Sequence, residues 1–247
     1  MKKGIDVSKH NGVIDFQKVK AAGYDFVIIR AGYGKSATQK DTMFDLNYAK
    51  AKAAGLDVGT YWYSYAMSFE EGRAEAVACL DVIKGKQFEY PIYFDLEEQK
   101  QFAKGKDFCS QLVRTFCTAI EDAGYWAGLY TSKSYLTTHI DEATANKYAL
   151  WVAQWAAKCT YAGSYGMWQK SETGKVSGIN GNVDLDECYL DYPKAVREKG
   201  LNGYQKQNAP TVKVEYEVSV SFDTKEKAQA FADLLKNAKI EKVTKLI

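Results

Sequence analysis

The chain has 247 residues, long enough to bury a real core, and its 46% hydrophobic and 26% charged residues exclude a disordered or fibrous main state. Thirty-three Lys and Arg against 31 Asp and Glu leave a net charge of +2, too small for gripping a phosphate backbone, so nucleic acid is not an expected partner. The unusual feature is 14% aromatic residues, with 18 Tyr and five Trp.

The N-terminus, MKKGIDVSKHNG, has two lysines with no apolar stretch behind them, which predicts synthesis in the cytoplasm without a secretory signal peptide. No apolar run approaches the roughly 18 residues of a membrane span, so membrane insertion is not expected. GIDVS reads as an opening strand ending near Asp6. A unit then recurs: a helical stretch, a glycine, and a short apolar strand with a polar or aromatic end. The copies are KVKAAGYDFVIIRAGYG, KAKAAGLDVGTYWYSY, DVIKGKQFEYPIYFDLEE and AIEDAGYWAGLYTS. Their glycines, Gly23, Gly55, Gly85 and Gly124, fall 32, 30 and 39 residues apart, where helix C-termini favour a left-handed residue. That spacing suits one helix plus one strand, the rhythm of parallel α/β architecture.

ALWVAQW supplies a sixth strand. YGMWQKS and NVDLDECYL follow, linked by the turn-rich SETGKVSGINGN with no helix-length periodic segment between them. The fold class expected is therefore α/β, a barrel of eight strands that begins as βα units and finishes with hairpin-connected strands. After a helical PKAVREKG, the polar NGYQKQNAP reads as a linker. Beyond it Val212, Val214, Tyr216, Val218, Val220 and Phe222 alternate with polar residues as a half-buried strand does. Asp223 with Glu226 forms a capping-box-like start, and Ala228, Phe231, Leu234, Leu235 and Ala238 supply a helical apolar face before a last strand, KIEKVTKLI. The expected division is a barrel over 1–195, a helix end and linker over 196–211, and a small α+β (βαβ) module over 212–247.

The five cysteines (Cys79, Cys109, Cys117, Cys159, Cys188) are odd in number and lack Cys-x-x-Cys spacing, so free, mostly buried thiols are expected. With only His10 and His139, an imidazole-rich metal site is not expected.

In α/β barrels the reacting groups project from the C-terminal ends of strands. There Asp95 and Glu97 of YPIYFDLEE share a face with Cα atoms about 6.6 Å apart, so they resist joint ionisation and one is held protonated as a general acid. Asp6 and the pair Asp184 and Asp186 mark two further acidic strand ends; each alone reads as turn chemistry or an oxygen cluster of calcium type. The same ends carry Tyr33, Tyr61, Trp62, Tyr63, Tyr65, Tyr130, Trp155 and Trp168, flat rings suited to the C–H face of a sugar. Gln154 and Gln169 add neutral donors and acceptors, and Arg30 a cation that neutralises an acid or binds a substrate carboxylate.

Gly4-Ile5-Asp6-Val7-Ser8, Phe94-Asp95-Leu96-Glu97, Leu150-Trp151-Val152-Ala153-Gln154-Trp155, Met167-Trp168-Gln169 and Asn182-Val183-Asp184-Leu185, in that order, resemble the glycoside hydrolase family 25 lysozymes of the Chalaropsis type. The resemblance spans roughly residues 1 to 195. It implies a distorted TIM-like barrel, (β/α)5(β)3, and N-acetylmuramidase activity on bacterial peptidoglycan without metal or cofactor. By that resemblance Glu97 is the catalytic acid, Asp95 its neighbouring carboxylate, and Asp6 and Asp184 the two further acids. Arg30, Tyr33, Tyr61, Tyr63, Tyr130, Gln154, Trp155 and Gln169 are the substrate-binding candidates. Tyr61-Trp62-Tyr63-Ser64-Tyr65 departs from the family's tyrosine-histidine-phenylalanine strand, and Arg30 stands where a lysine is common.

The reading is hydrolysis of the β-1,4 bond from N-acetylmuramic acid to N-acetylglucosamine, with Asp95 orienting the substrate's 2-acetamido group as nucleophile; direct water attack aided by Asp6 or Asp184 stays open. The alternatives are a metal-dependent phosphodiester hydrolase, which EDTA would silence, and a non-catalytic wall-binding lectin. A phage or prophage endolysin, released from the cytoplasm to the wall, fits the expected absence of a signal peptide. The segment 212–247, which resembles half of a SPOR-type glycan-binding domain, is expected to bind wall, to assemble a homo-oligomer, or both.

Overall fold

The computed structural model describes residues 1–206 and 220–236. The chain divides into two compact units, Met1–Asn208 and Ala209–Ile247. In the first, eight strands close into one barrel in chain order: β1 (Lys2–Val7), β2 (Phe26–Tyr33), β3 (Asp57–Tyr63), β4 (Ile92–Asp95), β5 (Ala127–Ser132), β6 (Ala149–Ala153), β7 (Met167–Gly174) and β8 (Val183–Cys188). The first seven are parallel, and β8 closes the barrel antiparallel to both β7 and β1.

Helices α1 (Phe16–Ala21), α2 (Phe44–Ala53) and α3 (Phe69–Ile83) follow β1, β2 and β3; α4 (Gln99–Phe102) and α5 (Lys106–Asp122) follow β4; α6 (Lys133–His139) and α7 (Glu142–Lys147) follow β5. Five βα units and three closing strands result, as expected. The four glycines expected in left-handed conformation after their helices adopt it, with φ of +88° at Gly23, +73° at Gly55, +76° at Gly85 and +84° at Gly124. The hairpin expected between YGMWQKS and NVDLDECYL is the antiparallel β7–β8 pair, whereas β6 and β7 are parallel. Residues 154–166 cross the barrel end without a helix, a stretch just long enough for a parallel return.

Alternation along the strands sorts the side chains into two layers. Val27, Ile29, Val58, Phe94, Leu129 and Val152 point outward against the helices, where α5 contributes Cys109, Leu112, Val113, Phe116, Cys117 and Ile120 at helical spacing. Phe26, Ile28, Tyr93, Tyr130, Trp151 and Met167 fill the interior. Gly128 is required there, because a Cβ on it would lie 2.5 Å from the Tyr93 ring. Four of the five cysteines are buried and all are free, and Cys159 is half-buried.

The base of the barrel is closed by α8 (Tyr192–Lys199) and the segment after it. Asn202 is fully buried and spans two strands, accepting from the Trp126 amide at 2.6 Å and donating to the Tyr90 carbonyl at 2.9 Å. Glu89, also buried, accepts from the Val58 amide at 2.8 Å, pairs with Lys52 and the Tyr204 hydroxyl, and lies 3.5 Å from Arg197.

In the second unit α9 (Lys225–Lys236) places Phe231 against Phe222, ring centroids 5.2 Å apart. Its start differs from the expected Asp223 cap by one residue: Thr224 accepts from the Lys227 amide, leaving Asp223 to pair with the Lys227 ammonium at 2.8 Å. Most of the strand expected over 212–222, and the one expected over 239–247, lie outside the described residues. Among the described residues no helix is long and apolar enough to cross a membrane.

Candidate active site

Strand register assembles the site. Tyr63, Asp95, Tyr130 and Trp151 are register partners across β3, β4, β5 and β6, so all four face the barrel interior at one level. On the closing side, Asp6 of β1 pairs with Asp184 of β8, and Asp186, two residues along, shares that inner face one step deeper, opposite Gln169 of β7. Just past the end of β4, Glu97 stands above Asp95. The cavity they enclose holds about 320 Å³ and is lined by these groups, Asp186 excepted, together with Arg30, Tyr61, Ser8, His10, Asn11, Glu172 and Asn182.

Hydrogen bonds fix the ring of side chains. Gln169 Nε2 donates to Asp6 Oδ2 at 2.8 Å, while its Oε1 accepts from the Tyr130 hydroxyl at 3.0 Å and from Trp155 Nε1 at 3.1 Å. The Trp151 indole donates to Asp186 Oδ1 at 2.8 Å and stacks obliquely on Tyr130, centroids 4.4 Å apart. Tyr63 donates to Glu98 at 2.8 Å. Arg30 is held by Asp41, its Nε at 2.8 Å and Nη2 at 2.7 Å from Oδ2, so its charge reaches the cavity without being free to pivot.

Five carboxyls in one confined mouth shift one another. Asp95, 3% exposed, is pushed well above the usual carboxylate range by burial and then by the Glu97 charge, with Arg30 opposing. Asp6 is raised by burial, then by Asp186 and Asp184, against the Gln169 bond. Asp186 is raised by burial against the indole bond, and Asp184 by burial to about 6. Glu97 is raised by the surrounding protein first, then by Glu98 and Asp184, with the Tyr63 hydroxyl opposing. Solvent reaches Glu97 at the rim, so its rise is smaller than that of Asp95 beneath it. The arrangement thus couples a solvent-accessible carboxyl raised above its usual range with a buried carboxyl whose Oδ1 has no hydrogen-bond partner.

Of the candidates read from sequence, Asp6, Arg30, Tyr61, Tyr63, Asp95, Glu97, Tyr130, Gln169 and Asp184 meet at this cavity. Tyr33, Gln154 and Trp155 are not among its lining residues. Tyr33 packs edge-on against exposed Tyr65 at 6.1 Å, Gln154 bonds Thr160, and Trp155, 57% exposed, touches the site through Gln169. Trp62 points outward, its indole donating to the Gly34 carbonyl at 2.8 Å. Sequence reasoning missed Trp151, Asp41, His10 and Asn182 as site residues. Trp151 had a signal, since alternation puts it on the same face as Ala153 and opposite Tyr130; Asp41 had none, because a β2–loop pairing is not encoded in spacing.

A larger surface depression, about 660 Å³, lies between α1 and residues 178–180, but its ionisable groups are only Asp15, Lys18 and Lys50, with Asp15 paired to Lys18 at 3.4 Å. Among the described residues no group of three or more His, Cys, Asp or Glu is disposed to hold a metal ion.

Residues 5–179 match the family model for glycosyl hydrolases family 25. An autolytic lysozyme of Clostridium acetobutylicum is 31% identical over 186 residues, which cover 75% of this chain and 55% of that protein, so the chain spans little more than half of this relative. Among solved structures, the CTP1L endolysin is 27% identical with a TM-score of 0.69, covering 79% of this chain and 69% of its own. The modular autolysin LytC of Streptococcus pneumoniae, solved with a synthetic peptidoglycan ligand, is 28% identical with a TM-score of 0.67, over 76% of this chain and 46% of that one. With the family model matched over most of the first unit, the chain belongs to glycosyl hydrolases family 25.

Proposed function

We propose that this protein is a peptidoglycan hydrolase, an N-acetylmuramidase that cuts the β-1,4 bond from N-acetylmuramic acid to N-acetylglucosamine. The observation that carries the reading is the stacking of an accessible Glu97, its carboxyl raised above the usual range, over a buried Asp95 with an open acceptor oxygen, in a cavity walled by tyrosines. Glu97 gives its proton to the glycosidic oxygen as the bond to C1 breaks, worth on the order of 10² to 10⁴ in rate. The carbonyl oxygen of the substrate's 2-acetamido group attacks C1 from the other face and forms a cyclic oxazolinium ion. Glu97 and Asp95 titrate as a pair that holds one proton; with that proton on Glu97, the Asp95 carboxylate, its burial opposed by the Arg30 charge, accepts from the acetamide N–H and balances the developing positive charge. Water then opens the ring while Glu97, now ionised, takes its proton, and configuration is retained.

The endolysin role is part of the proposal, supported by the likeness to a structure described as an endolysin. So is a wall-binding and oligomerising role for 212–247. Mass spectrometry of fragments from defined peptidoglycan tests the bond: new N-acetylmuramic acid reducing ends are expected, and N-acetylglucosamine reducing ends overturn the assignment. Turnover should persist in EDTA. Loss there, restored by a divalent metal, supports the phosphodiesterase alternative, and a protein that binds wall but releases no reducing ends supports the lectin.

A further inference from the structure

Asp186 has no part in the chemistry above, yet its placement is costly. It is 2% exposed, its Oδ1 is fixed by the Trp151 indole at 2.8 Å, and its Oδ2 meets no donor. The group facing it is another carboxyl. Asp6 lies within hydrogen-bonding reach of Asp186, as it does of its register partner Asp184, on the same inner face of the β1–β8 pair. Two ionised carboxylates are acceptors only, so a contact between them holds together only when one carries a proton. Asp6 is itself anchored on its other side by Gln169 at 2.8 Å, giving a buried chain from Trp151 through Asp186 and Asp6 to Gln169 that ends on two cavity-lining rings, Tyr130 and Trp151.

We propose that Asp186 is a positioning residue: its carboxyl shares one proton with that of Asp6, and the shared proton locks Asp6, Gln169 and the Trp151 ring in the geometry the substrate meets. Loss of that proton leaves two buried anions in contact with no cation between them. The other titratable groups facing this pair are Asp184 from β8, Asp95 from β4, the hydroxyls of Tyr61 on β3 and Tyr130 on β5 and, below Asp186, Cys188; Arg30 on β2 offsets Asp95 rather than Asp186. Repulsion then turns Asp6 or the indole out of place, so the pair titrates as a unit and its deprotonation lowers kcat more than it raises KM. The inference deepens the muramidase reading and rests on it for the turnover measurements.

The test uses the full chain with Asp186→Asn and Asp186→Ala. An asparagine amide donates permanently to Asp6 while its oxygen still accepts from Trp151, so D186N should keep kcat within several-fold of wild type at pH 5 and move the alkaline fall of kcat upward by about one pH unit or more. D186A should lose tenfold or more in kcat with little change in KM. Independently of turnover, wild-type tryptophan fluorescence should show a step between pH 4 and 9 that D186N abolishes. A D186N profile and fluorescence step superimposed on wild type, or a D186A enzyme with wild-type kcat, overturns the proposal. If D186A fails to fold, the D186N profile and fluorescence decide alone. A wild-type protein that releases no reducing ends, yet shows a fluorescence step lost in D186N, sinks the muramidase reading and leaves this one standing.

Discussion

Glu97 and Asp95 sit two residues apart on one strand end, yet one meets solvent and the other does not, and that difference divides their roles. Glu97→Gln deletes the transferable proton without changing shape, so kcat should fall at least 10²-fold with glycan binding retained, measured by reducing-end release and by binding to soluble glycan. Asp184→Asn should cost less. Burial pushes its carboxyl up to about 6, and the anion steadies a cationic transition state, so the acidic limb of the wild-type pH–rate profile should flatten in this variant while the alkaline limb stays. Asp95→Asn should be nearly as inactive as the Glu97 variant but more stable. Burial raises the folded pKa of Asp95, so its ionisation opposes folding once pH climbs above the unfolded value, near 4. Thermal melts should therefore favour the variant by about 0.5–2 kcal/mol at pH 8, with the gap closing toward pH 4. The acids at strand ends were legible because a buried apolar strand has no other reason to finish in carboxylates. Asp186 was legible only in part: alternation puts it on the face of Asp184, but a turn-forming neighbourhood reads equally as turn chemistry until the β1–β8 pairing places both acids inside.

At the scale of elements, α3 supports the site through one residue. Glu75 is 1% exposed, and its Oε1 accepts from the Tyr65 amide at 2.8 Å, just beyond the end of β3. Next to it Gln101 of α4 donates to Ser64 Oγ at 2.9 Å and to the Ala66 carbonyl at 3.1 Å, while the Ser64 amide donates to the Asp95 carbonyl at 3.0 Å. The turn after β3 is thus clamped between two helices and the catalytic strand. Burial lifts the Glu75 pKa from 4.5 to about 7, so the stability it supplies as a neutral acid is complete below about pH 4.5 and is lost as pH rises through about 7. Ionisation in the fold costs on the order of 3 kcal/mol. Glu75→Gln should melt higher than wild type at pH 8 and equally at pH 4.5, whereas Glu75→Ala should melt lower at both. Equal melting of wild type and Glu75→Gln at pH 8 would count against a buried neutral acid. The elements themselves were well marked in sequence, since glycine at each helix end and an apolar run after it recur four times. The parallel return of β6 to β7 was not, because residues 154–166 carry turn composition whether they close a hairpin or cross a barrel.

For the whole molecule, the base of the barrel determines what the first unit needs in order to fold alone. Glu89 gathers Lys52 of α2, the Val58 amide of β3, Arg197 of α8 and the Tyr204 hydroxyl, and Asn202 bridges to Tyr90 and Trp126. Removing one partner of such a buried ion cluster typically costs about 3–5 kcal/mol. Every one of those partners precedes Asn208, so a chain ending there keeps its base intact and should remain a folded barrel with near wild-type melting. The excess charge lies beyond: from Tyr204 onward the sequence has eight Lys and six acidic residues, while the rest is balanced. A basic segment tethered to a glycosidase raises the enzyme's local concentration on an anionic wall, an effect that acts on intact cells and not on soluble glycan. The truncated protein should therefore cut soluble glycan at the full-length rate but lyse whole cells at least tenfold more slowly, and it should elute as a monomer if the tail also pairs subunits. Turbidity loss of a cell suspension, soluble-glycan turnover and light scattering, measured on both proteins, separate these effects. Full lytic activity and an unchanged assembly state after truncation would remove any role for the tail, and an unfolded product would show that the barrel depends on residues beyond the Glu89 cluster.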